Sequence, residues 1–138
     1  MNKILIILLL FGINIYAETS DTGYSKMKQE SYQRTLDLSE MSKKIHFCLI
    51  KTSTSSKAKK CLNLLKNREI KETIKQIVYR IGDGSISKKT KLVWNKNRKQ
   101  MVLDELQRTS KESLIYSKCM KNNKNYKNFY RCLKRAGL

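Results

Sequence analysis

Apolar residues along this chain recur in helical steps, and short polar loops cut them into blocks. The first block is different in kind: a lone Lys3 precedes an apolar run from Ile4 to Ile13, and Ala17 follows at a plausible cleavage point. Behind the polar leader ETSDTG, where Ser20 or Asp21 is placed to cap a helix, Tyr24, Met27, Ser31, Arg34, Leu38, Met41, Ile45 and Cys48 fall at alternating three- and four-residue steps. That spacing predicts one helix over 22–51, with Ser31 and Arg34 interrupting its apolar stripe. The loop KTSTSSK ends it and offers Ser55 or Ser56 as the next cap. Leu62, Leu65, Ile70, Ile74, Ile77, Val78 and Ile81 predict a second helix, running until Gly82-Asp83-Gly84 breaks it.

A third helix is expected over 88–121 on Leu92, Val93, Val102, Leu103, Leu106, Leu114 and Ile115. Its stretch Trp94–Gln100 is mostly polar and basic, so this part either projects into solvent or kinks between two shorter helices. Asn122 to Asn125 make a turn, and Tyr126, Phe129, Tyr130 and Leu133 share one face of a last short helix. With no proline and no alternating run of the half-buried strand type, the class is all-α.

The opening block reads as a secretory signal peptide over residues 1–17. Its apolar run falls short of the roughly 20 residues that span a bilayer, although an uncleaved anchor is the competing reading. No cysteine stands at the cleavage point, which argues against a lipid anchor. The mature chain, 18–138, is then a single basic α-helical domain, periplasmic or secreted.

That compartment changes the meaning of the cysteines. Cys48 and Cys61 form a C-x12-C unit, and so do Cys119 and Cys132. An even count in an exported chain favours disulfides over metal, and the close spacing of ordinary zinc modules is missing. Four cysteines allow three pairings; the near-neighbour one is preferred because each pair then brackets one predicted turn. Each closure is worth about 3 kcal/mol on the chain-entropy model. The expected architecture is a small bundle of two disulfide-stapled helical hairpins, about four helices in all. Sliding the chain by the distance between the two units also superposes Lys28 on Lys99, Gln29 on Gln100, Ser39 on Ser110 and Ser42 on Ser113. These are common residue types here, so duplication of one hairpin stands as an open reading. Stapled hairpins of this sort resemble the twin C-x9-C proteins of the mitochondrial intermembrane space in idea alone: those place two cysteines on each helix, whereas here each helix contributes one, after an export signal.

The precursor carries a formal charge of +19 and loses one positive charge with Lys3. Codon bias toward Lys, Asn and Ile accounts for the choice of lysine, not for the scarcity of Asp and Glu. Together with the export signal, that bias points to the envelope of an AT-rich Gram-negative bacterium. Residues 18–42 balance Lys26, Lys28 and Arg34 against Glu18, Asp21, Glu30, Asp37 and Glu40, so the positive excess lies after Met41. Such a field attracts anionic partners. Candidate partner-binding residues are Lys121, Lys124, Lys127, Arg131, Lys134 and Arg135 at the C-terminal staple, with Lys96, Arg98 and Lys99 in the basic stretch before it. Tyr126, Phe129 and Tyr130 are interleaved with the first group, where they either stack on bases or form the inner face of a helix.

Catalytic chemistry has little to stand on. His46 is the sole histidine, beside Phe47 and Cys48, and a general base needs a partner. Disulfide bonding would leave no thiol nucleophile. Glu69 and Glu72 are spaced for ion pairs along a helix, and Asp104 and Glu105 do not face each other. GDGSIS lacks the phosphate-loop pattern and any preceding strand, and lone Asp83 makes no calcium loop. The expectation is a non-enzymatic protein without cofactor, docking on an acidic protein or another envelope polyanion in an inhibitor, immunity or assembly role. The alternatives are a cationic protein that binds membrane surfaces, lipopolysaccharide or nucleic acid, and a small secreted hydrolase. Self-association between the acidic first helix and the basic remainder is a further expectation.

Overall fold

The computed structural model describes residues 21–80 and 91–138. The signal peptide, the Gly82–Gly84 turn and the proposed cap Ser20 lie outside the described residues. Among these residues there are five helices: α1 (Asp21–Ile50), α2 (Ser55–Leu62), α3 (Arg68–Arg80), α4 (Lys96–Asn122) and α5 (Tyr126–Arg135). The protein is an all-α bundle with two long helices, each stapled to the short helix that follows it by Cys48–Cys61 and Cys119–Cys132.

Three boundaries depart from the sequence pattern. The helix expected to run on from Ser55 is two helices, because Leu65 and Ile70 are five residues apart and one continuous helix would swing Ile70 off the buried face. The chain instead leaves the helix at Asn63, and the Asn67 side-chain oxygen accepts the Ile70 N–H at 3.1 Å to start α3. Thr54, not Ser55 or Ser56, caps α2, its hydroxyl accepting the Lys57 N–H at 3.3 Å. The helix expected from residue 88 begins at Lys96, where the Asn95 side chain accepts the Arg98 N–H at 2.9 Å. This resolves the polar Trp94–Gln100 stretch: it is a helix start, not a kink.

The inner stripe of α1 also differs. Tyr24, Ser31, Leu38 and Ile45 are buried as the pattern requires, but Thr35, Ser42 and Leu49 are buried in place of Arg34, Met41 and Cys48. The reason is the size of the side chains. Small hydroxyl residues on α1 and α4 let the two backbones come close, and Ser39 Oγ donates to the Ser110 carbonyl at 2.7 Å while Ser110 Oγ donates to the Ser39 carbonyl at 2.9 Å.

That reciprocal pair is separated by 71 residues, the same offset that relates the two staples. The offset recurs in other features. Thr54 and Asn125 cap the two short helices, Asn125 accepting the Asn128 N–H at 2.9 Å. Thr52 and Asn123 each fold back onto the end of their long helix, donating to the carbonyls of Leu49 and Cys119 at 2.8 Å. Lys99 Nζ donates to the Thr52 carbonyl at 2.7 Å and Lys28 Nζ to the Asn123 carbonyl at 3.1 Å. Ser42 and Ser113 are both fully buried. Equivalent residues thus perform equivalent structural jobs, which supports a duplicated long-helix, turn, short-helix unit.

The chain divides into two compact units: one comprises α1 up to Asp37 with everything from Glu112 onward, the other Leu38–Lys111. In the first, Tyr24, Met27, Tyr116, Met120, Phe129 and Leu133 pack around Cys119. In the second, α3 lies against α2 and buries Ile70, Ile74 and Val78.

Candidate functional site

The C-terminal staple is a polar surface laid over an aromatic core. On α5, Phe129 and Leu133 face inward, Phe129 meeting Tyr24 at 5.2 Å and Tyr116 at 5.5 Å between ring centroids. The Tyr24 hydroxyl donates to the Asn123 carbonyl at 3.0 Å, which fixes the turn between α4 and α5. Its enclosure in this core pushes its pKa up to about 12, because burial penalises the phenolate. Tyr126 is half-buried against Tyr24, and Tyr130 stacks on Tyr126 at 6.2 Å while Lys134 Nζ sits 5.4 Å from the Tyr130 ring centre. The aromatics are therefore largely committed to packing. Phe129 cannot stack on a base, and Tyr130 already carries a cation on its ring.

Over α5 and the end of α4 the exposed charged side chains are all basic. Lys121, Lys124, Lys127, Arg131, Lys134 and Arg135 are all exposed, and Lys118 shares that exposure. No aspartate or glutamate occurs between Ser113 and Leu138 to balance them. A cleft of about 290 Å³ opens beside the disulfide, lined by Asn123, Asn128, Arg131, Cys132 and Arg135. Arg131 and Arg135 stand one turn apart, hence on the same face of α5.

The second group of predicted residues has other work. Arg98 is only 8% exposed, and its guanidinium donates to the Tyr79 carbonyl in the last turn of α3 at 2.6 Å. Lys99 Nζ holds the carbonyls of Ile50 and Thr52 at 2.6 and 2.7 Å, at the end of α1. Both are cations spent on helix C-termini, where the carbonyls lack intrahelical donors. Lys96 alone of the three is exposed. Sequence position could not separate these cases, because neighbours on a helix point in different directions.

The N-terminal staple presents a different surface. Phe47, Ile50 and Leu64 are 58%, 45% and 48% exposed, among exposed Lys43, Lys44, Lys51, Lys60 and Lys66. By the internal offset, these three apolar positions correspond to Lys118, Lys121 and Arg135. All three fall outside the apolar stripes that the spacing defines, and that was the signal in the sequence for an exposed apolar group.

Among the described residues no group of three His, Cys, Asp or Glu side chains is placed to hold a metal, and all four cysteines are in disulfides. The His46 ring stands edge-on to Phe47 at 6.0 Å. Glu72 pairs with Lys75 at 3.0 Å, Asp104 accepts from Gln100 at 2.8 Å, and Glu105 takes two bonds from Arg108. These carboxylates serve helix surfaces. No helix among the described residues is long and apolar enough to cross a membrane. No family model matches the chain, and neither a curated protein nor a solved structure matches it.

Proposed function

We propose that this is an exported, non-enzymatic binding protein whose C-terminal staple docks on an anionic partner, an acidic protein surface in the first instance. The supporting observation is the run from Ser113 to Leu138, where exposed lysines and arginines stand on a stapled frame with no acidic residue among them. A rigid frame matters because side chains held in place lose less freedom on binding. An inhibitor, immunity or envelope-assembly role suits a small scaffold of this kind. The test is a pull-down from envelope extract with the oxidised mature protein at low salt, eluted in a salt gradient. A single acidic protein retained to high salt, and lost from the charge-reversed variant K121E/K124E/K127E, is the expected result. A smear of lipid, nucleic acid and acidic proteins leaving together at modest salt would reject a specific partner.

One observation favours a second reading. Exposed Phe47, Ile50 and Leu64 amid lysines suit contact with an anionic lipid surface, where apolar side chains enter the interface and cations meet headgroups. Flotation with phosphatidylglycerol vesicles tests it. Retention by the vesicles that F47S/I50S/L64S abolishes would move the weight to the membrane; equal behaviour of both proteins removes this reading.

A further inference from the structure

The cleft beside Cys119–Cys132 has donors and no acceptor of matching charge. Its lining contributes two guanidinium groups and two side-chain amides, and no carboxylate. Asn123 Nδ2 is already turned inward to the Cys119 carbonyl, so the charged members are what the cleft offers to a visitor. The scaffold does not require them there: at the equivalent positions of the N-terminal staple stand Lys60 and Leu64, and that staple closes equally well, with Cα atoms 5.8 Å apart against 5.7 Å.

We infer that this cleft is the specificity pocket of the basic surface, seating neighbouring carboxylate side chains of an acidic protein segment with Arg131 and Arg135 as the two forks. The inference rests on the proposed docking function and names the chemistry read at its centre. Each guanidinium presents parallel N–H groups that match one carboxylate in two-point fashion, which a lysine ammonium cannot do. Residues one turn apart hold their Cβ atoms about 5–6 Å from each other, a separation suited to two acidic side chains adjacent on the partner. The volume, about 290 Å³, sits at the lower limit of small-ligand pockets, roughly 300–1,000 Å³, and suits side-chain ends. A phosphate group is the poorer fit. It gains most from free N–H groups at a helix start, and at α5 the Asn128 N–H is already taken by the Asn125 side chain at 2.9 Å.

The test uses oxidised mature protein and a fluorescein-labelled hexaglutamate peptide, read by fluorescence polarisation at low salt. The charge-preserving variant R131K/R135K is expected to bind about ten-fold more weakly, since the two-point bonds go while the charge stays. The control K57R/K59R, at exposed lysines of α2, is expected to bind like the parent. Unreduced peptide mapping and circular dichroism verify the fold. The single variants R131K and R135K, expected to lose about three-fold each by the same bonds, keep the result decisive if the double variant loses helix. Binding by R131K/R135K within two-fold of the parent would overturn the cleft while leaving salt-sensitive docking intact. Failure of the parent itself to bind hexaglutamate would overturn both the cleft and the docking function. Displacement of the peptide by inorganic phosphate, but not by glutarate at equal ionic strength, would make this a phosphate site and reject the carboxylate assignment.

Discussion

The two compact units use the same stapled frame and fill it by different means. In the one that holds the C-terminal staple, Phe129 on α5 completes a cluster with Tyr24 and Tyr116. In the other, the residue at the equivalent position on α2 is Ala58, fully buried, and an additional helix, α3, lies against α2 with Ile70, Ile74 and Val78 buried. One large aromatic in the first unit thus has a whole amphipathic helix as its counterpart in the second. The surfaces diverged in step, toward Lys118, Lys121 and Arg135 on one staple and toward Phe47, Ile50 and Leu64 on the other. A frame held by a disulfide, an N-cap and a lysine on the helix end leaves core and surface free to change separately.

The comparison is broken most severely at Phe129. Replacing it with alanine removes the ring that Tyr24, Tyr116 and Tyr126 all touch and is expected to cost about 4 kcal/mol, the usual toll for a buried Phe→Ala change. The converse change, Ala58→Phe, is expected to destabilise by about 1–3 kcal/mol through overpacking. Urea unfolding measures both. A neutral Ala58→Phe would mean that α3 does not occupy the space which Phe129 fills in the other unit.

Next come the staples. The two closed loops have the same sequence separation, 13 residues, so loop entropy predicts equal losses of about 3 kcal/mol for C48S/C61S and C119S/C132S. Hydrogen exchange should nevertheless separate them. With its staple cut, helix α2 still has α3 against it, whereas α5 is held to α1 and α4 by the cluster around Phe129 alone. Amides of α5 are therefore expected to lose protection in C119S/C132S far below the global unfolding free energy, while those of α2 in C48S/C61S stay closer to it. Equal local opening would show that α3 contributes nothing to holding α2.

High pH probes the aromatic unit through Tyr24. Below pH 10 Tyr24 is neutral in the folded and unfolded chain alike. Above it the unfolded phenol ionises while the folded one keeps its proton until its raised pKa of about 12. The folded state then binds more protons, so stability falls as pH rises from 10 to 12, by about 3 kcal/mol for a shift of this size. Tyr24→Phe should flatten that step, at a neutral-pH cost of about 1 kcal/mol for the lost hydrogen bond to Asn123. Following tyrosinate absorbance and unfolding together separates this from general alkaline denaturation; a step that survives in Tyr24→Phe belongs to another group.

What the sequence made legible follows from how locally each feature is encoded. The staples, the two turns they bracket and the long first helix rest on cysteine spacing and on residues a few positions apart, and they appear where the pattern put them. The break at Asn63–Asn67 does not, because Leu62, Leu65 and Ile70 all count as apolar while their phase changes. The inner faces of α1 and α4 were hidden for the opposite reason: Ser39, Ser42, Thr109 and Ser113 score as polar yet are buried. Arg131 and Arg135 were visible as charge, but their cleft was not. Asn128, Arg131, Cys132 and Arg135 follow steps of three, one and three, the signature of a single helix face. Recognising that face as a cleft required the turn residue Asn123, which only folding brings to it.

The finest test of the duplication concerns Lys99 and Lys28. Lys99 holds two carbonyls at the end of α1, at 2.6 and 2.7 Å. Lys28 holds one, the Asn123 carbonyl at 3.1 Å, and shares it with the Tyr24 hydroxyl at 3.0 Å. Methionine keeps most of the aliphatic stem and removes the donor, so Lys99→Met is expected to cost about 1–2 kcal/mol and Lys28→Met about 0.5 kcal/mol, given partial solvent access. Because the two lysines lie in separate units and share no partner, the double variant should be additive within about 0.5 kcal/mol. Strong non-additivity would mean that the two helix ends report on one cooperative element. The repeated lysine would then be a coupling device and not the same local cap made twice.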